Sequence, residues 1–438
     1  MSDRFTSLPA ELLEYSFTFV DPVDIAAINQ TSKVLHSITA PSNIYLWRSI
    51  YLSHPFDDPR PHMPDAAAKF DWRDVLTRRV RAERRVIDNV VPFLDTVAEC
   101  LSMVPPHSST PSADIAWVNR VVSKRSDLFR DELPTRSTSS SEDGSDDWED
   151  IQVDLSLDDP IAKERRMFIR ASLAQKLRPD IASASAAARR RAARTFVYDM
   201  RNYVPSSQWG PLMPGAAAPR WQHIDALISV VSANLRDFGP EWPGELQPPA
   251  LRRGAETLRA YSALLEDERS PIDWAGVGGE WMRISARSSH GTRAVTQRGH
   301  CRSSFFHDEF EEATRLLRMH LVVTGIAEDE LSADPTRPAL RFKGRMRGFS
   351  SHENLDREVR GVVRVMPSGN IRWTSVSIYQ GQKQWSSEGI QLGGPGSAAG
   401  VIGAWSGALH AASDPAGPFW SFRPNERNIV DKIMSWPF

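Results

Sequence analysis

The sequence predicts an α+β multidomain chain, helical up to about residue 270 and closing afterwards in an antiparallel β-barrel of about eight strands. Three observations predict it. The length of 438 residues exceeds what one small core serves. Apolar residues recur at helical spacing through the first part, and alternate with period two from about residue 271 to 425.

Composition bounds the function classes. Hydrophobic residues make up 41% and charged residues 25%, as in ordinary globular chains. A formal net charge of -2 gives no bias toward nucleic acid or an anionic membrane, so neither is expected as a partner. Two cysteines, Cys100 and Cys301, cannot build a disulfide framework or a four-thiolate zinc site. They suit a reducing compartment, and no metal or cofactor is expected. The N-terminus lacks a basic region followed by an apolar core, and no apolar run approaches the roughly 18 residues that span a bilayer. A cytoplasmic or nuclear location follows as an expectation.

The first element, residues 5–54, opens with "SLPAELLEYSFTFVDPVDIAAINQTS". Pro9 fits the first turn of a helix, with Glu11 at the positive end of its dipole. Asp21 caps a second helix, followed by Pro22 in its first turn. Val34, Leu35 and Ile38 form a third apolar group, and "NIYLWRSIYL" closes the unit with Ile44, Leu46, Trp47 and Ile50. So many apolar side chains in so short a unit exceed what a local core consumes, and read as a docking module.

The second element, residues 64–270, is helical in texture. Trp72, Val75, Leu76 and Val80 share one spacing, as do Ile224, Leu227, Ile228, Val231 and Leu235. Arginine clusters at 78–85 and 189–194 read as solvated helix faces rather than as an RNA or nuclear-import signal. Within this element, residues 137–160 carry nine acidic residues and no basic one, and read as a disordered insertion. Ser145, followed by Asp146, Asp147 and Glu149, has the form of an acidophilic kinase site, but a solvated acidic loop is the stronger reading.

The third element, residues 271–425, contains eight alternating segments: 280–287, 319–326, 339–346, 358–366, 370–379, 384–392, 400–407 and 418–423. Hairpin-length connections such as "PSGN" and "YQGQ" join several of them, which favours an up-and-down barrel. Seven of the fourteen tryptophans follow residue 270, six of them within 271–425 and Trp436 beyond, and most read as barrel packing.

Two motifs imitate chemistry. In "GGPGSAAGVIG" the glycines resemble a phosphate loop, but a β-branched, aromatic segment follows where that mechanism needs a helix, so a close-packed hairpin fits better. His290, His300, Cys301, His307 and Asp308 lack a second ligand pair at zinc spacing, and read as a polar loop. No nucleophile elbow, zinc-protease motif or paired carboxylates stand out, so no catalytic residue is expected.

The opening stretch resembles an F-box, whose pattern L-P-x-E-[IL]-L, an aromatic, P-x-D-L and a late L-W-[RK] is met by Leu8, Pro9, Glu11, Leu12, Leu13 and Phe17, then by Phe19, Pro22, Asp24, Ile25, Leu46, Trp47 and Arg48. Ser16 departs from the pattern, where an aliphatic residue is usual. The resemblance implies a three-helix fold that binds the Skp adaptor and, through it, the cullin scaffold of an SCF-type ubiquitin ligase. It makes Leu8, Pro9, Leu12 and Leu13, with Phe17, Ile25, Leu46 and Trp47, the adaptor-binding residues.

The C-terminal segments "WSSEGIQLGGPGSAAGVIGAWSG" and "DPAGPFWSFR" are similar to the terminal barrel of F-box-only proteins of the cyclin-D-binding type, and "DWAGVGGEW" resembles the opening strand of lipocalin-like barrels. The first resemblance implies a receptor for a protein target; the second allows a small-molecule binding or sensing protein instead. Arg345, Trp373, Tyr379, Trp385 and Trp405, with His410 nearby, are the candidate target-binding residues. An arginine fork beside aromatic rings can hold a carboxylate or carbonyl if barrel closure brings Arg345 and Trp373 together; the equal alternative is that the tryptophans fill the barrel and Arg345 faces solvent.

Overall fold

Asp21, Ser32 and Asn43 each accept a hydrogen bond from a backbone N–H at a helix start, so the N-terminal stretch breaks into four short helices rather than three. They are α1 (Ala10–Phe17), α2 (Pro22–Ile28), α3 (Lys33–Ile38) and α4 (Ile44–Ser53). Pro9 stands at the N-cap of α1, one position before the helix begins. The computed structural model describes residues 5–61, 69–83, 90–106, 110–129, 159–174, 184–237, 246–259, 272–288, 312–348, 356–411 and 414–424. Ser145 and most of the acidic insertion, Trp436, and the His290–Asp308 motif lie outside the described residues.

The described chain divides into two compact units, the first ending at Leu128 and also taking in residues 159–165, the second formed by Phe129 and residues 166–424. In the first unit, α5 (Trp72–Glu83), α6 (Val90–Ser102) and α7 (Ala113–Lys124) follow the four short helices. Trp72, Val75 and Leu76 of α5 join Leu13, Phe17, Ile25 and Leu46 in one core. The short helices are thus completed by residues beyond 54. Arg79 departs from the expected solvated face and turns inward to Asp114.

The second unit holds α8 (Pro160–Leu173) from Arg166 onward, α9 (Ala184–Val197), α10 (Trp221–Asp237) and α11 (Pro249–Arg253). Its strands are β1 (Gly279–Ser288), β2 (Glu312–Ile326), β3 (Leu340–Gly348), β4 (Arg357–Val365), β5 (Ile371–Tyr379), β6 (Gln382–Gln391), β7 (Val401–Gly407) and β8 (Ala416–Phe422). Each pairs antiparallel with the next, and β1 pairs with β8, so the sheet is a closed up-and-down barrel. Closure leaves no unpaired edge. Gln380 and Gly381, at φ 51° and 79°, make the positive-φ turn that matches strand twist between β5 and β6. α10 lies across β7, β8 and β1 with α9 beside it.

No helix among the described residues is long and apolar enough to cross a membrane.

Candidate functional site

Strand alternation sends every second residue into the barrel, and the inward residues divide into two halves of different chemistry. One half is packed shut. Trp281, Met319, Phe342, Trp373, Val401 and Phe419 fill it, with the Trp281 and Trp373 rings edge to face at 5.2 Å. Only about 30 Å³ of space remains there. Trp373 Nε1–H donates to Gln391 Oε1 at 2.9 Å, which satisfies the indole's polar edge.

The other half holds a cavity of about 130 Å³. It lies toward the end of the barrel where β1 runs out and β2 begins, and all eight strands or their immediate flanks contribute to its wall. Leu317, Met346, Val359, Trp385 and Trp405 supply apolar wall, the two indoles meeting edge to face at 5.2 Å. Ser285, Ser375, Ser377 and Ser387 supply hydroxyls. Arg283, Arg287, Arg315 and Arg357 supply charge, and no carboxylate is among the lining residues described.

Arg283 is the deepest of the four. It is 8% exposed, donates from Nη2 to Ser387 Oγ at 2.8 Å and stacks over the Phe419 ring at 3.8 Å. Its Nε finds no hydrogen-bond partner. Burial pulls the guanidinium down to about 9, since no opposite charge offsets desolvation. The other buried arginines among the described residues all face a carboxylate: Arg79 with Asp114, Arg170 with Asp225 and Arg194 with Glu312, then Arg259 with Glu256 and Arg372 with Glu388. Arg283 does not.

The expected target-binding residues separate. Trp385 and Trp405 line the cavity. Trp373 belongs to the packed half. Arg345 points away from both: its side chain is 74% exposed and pairs with Asp356 outside the barrel. On β3 it lies one residue from inward Met346, so pleating sends it outward, and closure cannot join it to Trp373. Tyr379 sits half-buried at the end of β5, and His410 stacks on Trp209 with ring centroids 3.9 Å apart; neither lines the cavity. Sequence alternation does not reveal the arginines that do line it, because an inward charge reads as an outward one.

The glycine-rich segment joins β6 to β7 without a following helix. At Gly400, φ is 84° and a Cβ would come within 2.2 Å of Ser421 O, so close backbone approach accounts for the residue.

In the first unit, α1 carries two apolar faces. Leu13 and Phe17 are buried with Ile25, Leu46 and Trp47 in the bundle's own core. Those five residues present little or no surface. Leu12 and Tyr15 of α1, with Leu8 just before the helix and Phe19 just after it, recur at intervals of four, three and four and lie exposed; Leu12 is 52% and Phe19 73% accessible. Pro9 is exposed beside them.

No protein-family model, curated protein or solved structure matches this chain.

Proposed function

We propose that this chain is a non-catalytic substrate-recognition subunit of an SCF-type cullin–RING ubiquitin ligase, docking the Skp adaptor through its N-terminal helices and recruiting a protein target through its barrel. The observation that carries the proposal is the second apolar face of α1. An eight-residue helix needs one face for its core, and Leu13 and Phe17 provide it. The stripe of Leu8, Leu12, Tyr15 and Phe19 lies exposed outside the unit's core, its Tyr15 and Phe19 rings meeting edge to face, and includes residues of the F-box pattern. An amphipathic helix with such a face is what a groove-bearing partner recognises.

The test is capture of a recombinant Skp-type adaptor by the full chain. Wild type is expected to retain it, and Leu12→Asp to lose it while melting at the same temperature. Absence of capture by wild type, or full capture by Leu12→Asp, refutes the reading.

A second reading, a lipocalin-like small-molecule binding or sensing protein, is favoured by the cavity inside the barrel. A receptor whose target lies only on the outer wall has no use for a half-empty, arginine-lined interior. Binding of a small ligand by the full chain, without any adaptor, tests it.

A further inference from the structure

We propose that the open half of the barrel binds a small organic carboxylate, its carboxyl group held by Arg283 and its apolar body laid against Trp385 and Trp405. The inference rests on the small-molecule reading of the cavity and names the ligand's chemistry.

Three observations converge on it. The first is the missing counter-charge. Taking a guanidinium out of water without an opposite charge is costly, and the five other buried arginines described here avoid that cost with a carboxylate. Arg283 sits at the inner end of the cavity with Nε unsatisfied, and Ser377 Oγ, also a cavity-lining atom, is buried without a partner. A carboxylate accepts from both kinds of donor, and a guanidinium fork matches its two oxygens.

The second observation is the sign of the lining. Arg287 and Arg357 also line the cavity, and no acid is among the described lining residues. A cleft of one sign with apolar walls concentrates ions of the other sign. A cation or a neutral apolar molecule gains nothing from this arrangement.

The third is size. The cavity measures about 130 Å³, and an apolar cavity of about 150 Å³ accommodates a benzene ring. The space is of the order that a single small ring or a short acyl chain occupies. Leu317, Met346 and Val359 on β2 to β4 supply apolar wall on strands apart from the indoles of β6 and β7, so an apolar body finds apolar surface on more than one side.

The experiment uses the full chain and four probes: phenylacetate, hexanoate and their uncharged amides. Calorimetric titration is expected to give saturable binding of the acids, with the amides at least about tenfold weaker. Arg283→Met is expected to weaken the acids by about ten- to a hundredfold, the weight of a charge-assisted hydrogen bond. Arg345→Met, outside the barrel, should leave binding unchanged. Acids and amides binding alike would keep the cavity as a small-molecule site and overturn its assignment to anions. If none of the four binds, both ideas fall. Should Arg283→Met fail to fold, the comparison of acid with amide on wild type still decides.

Discussion

Arg79 and Asp114 form an ion pair in the core of the first unit, Nη1 to Oδ1 at 2.6 Å, with both side chains 1% exposed. Three aromatic rings, of Tyr51, Phe56 and Trp117, surround the guanidinium, so water cannot screen or replace either partner. Asp57 ties the pair to the start of α7, accepting from the backbone N–H of Ala113 and, from its own N–H, donating to Asp114 Oδ1. Burial raises the Asp114 carboxyl above its usual range despite the opposing pull of Arg79.

Removing one member of this pair is therefore worse than removing both. Asp114→Ala strands a buried guanidinium and is expected to cost about 3–5 kcal/mol. The double variant Arg79→Met, Asp114→Leu should recover most of that loss. Denaturant unfolding followed by tryptophan fluorescence measures both. A double variant as unstable as the single one would mean that the pair itself stabilises the unit.

The two faces of α1 predict opposite behaviour from adjacent leucines. Leu13 is fully buried, and Leu13→Ala should cost about 2–5 kcal/mol through the cavity it leaves. Leu12 is exposed, and Leu12→Ala should change stability by no more than about 0.5 kcal/mol. Thermal melts of the two variants side by side are sufficient. Equal losses would mean that the exposed stripe is covered within the chain.

What could be read from sequence follows where inside and outside differ in polarity. β3 to β8 stand within a few residues of the expected segments, because turns with positive φ at Gly369 and Gly381 separate strongly alternating runs. β2 begins at Glu312, seven residues earlier than its alternation suggests. There the usual polarity inverts: Arg315 faces the cavity, while outward Glu312 has its side chain 2% exposed and accepts a hydrogen bond from Tyr198, just past the end of α9. A charged residue inside and a buried carboxylate outside defeat a pattern that assumes a dry interior. The same inversion hid Arg283 and Arg357, so the indole half of the candidate site could be read from sequence and the arginine half could not. Arg79 and Arg194 depart from the solvated-face pattern for a related reason: a helix arginine that pairs with a distant acid has the sequence spacing of a solvated one.

The separation of Trp373 from Arg345 gives a direct contrast. Trp373 packs against Trp281 and Phe342 in the closed half, and Trp373→Ala should cost about 3–5 kcal/mol. Arg345 makes one exposed pair with Asp356 at 3.4 Å, and Arg345→Ala should move stability by less than about 1 kcal/mol. Chemical denaturation of both variants checks the contrast. A loss at Arg345 as large as that at Trp373 would contradict its outward placement.

The last prediction concerns acid. His223 of α10 is fully buried, and desolvation, helped by the nearby Arg220 charge, lowers its imidazole to about 3. Tyr203 donates its hydroxyl hydrogen to Val197 O, which leaves its oxygen to accept from His223 Nε2 at 3.3 Å; Nδ1 has no partner. The neutral ring is thus the folded form. In the unfolded chain the ring takes a proton near its ordinary 6.5. Between about 6.5 and about 3 the unfolded state binds more protons than the folded one, so stability falls as pH falls through that window. At pH 5, about 1.5 units below the unfolded value, this single residue should remove about 2 kcal/mol. His223→Phe keeps a ring in the space and cannot titrate. Denaturant curves at pH 7 and pH 5 should show wild type losing about 2 kcal/mol more than the variant does. Equal losses in the two proteins would mean that the imidazole is solvated or paired in the folded state, and that its burial among Phe196 and Tyr203 is not maintained in solution.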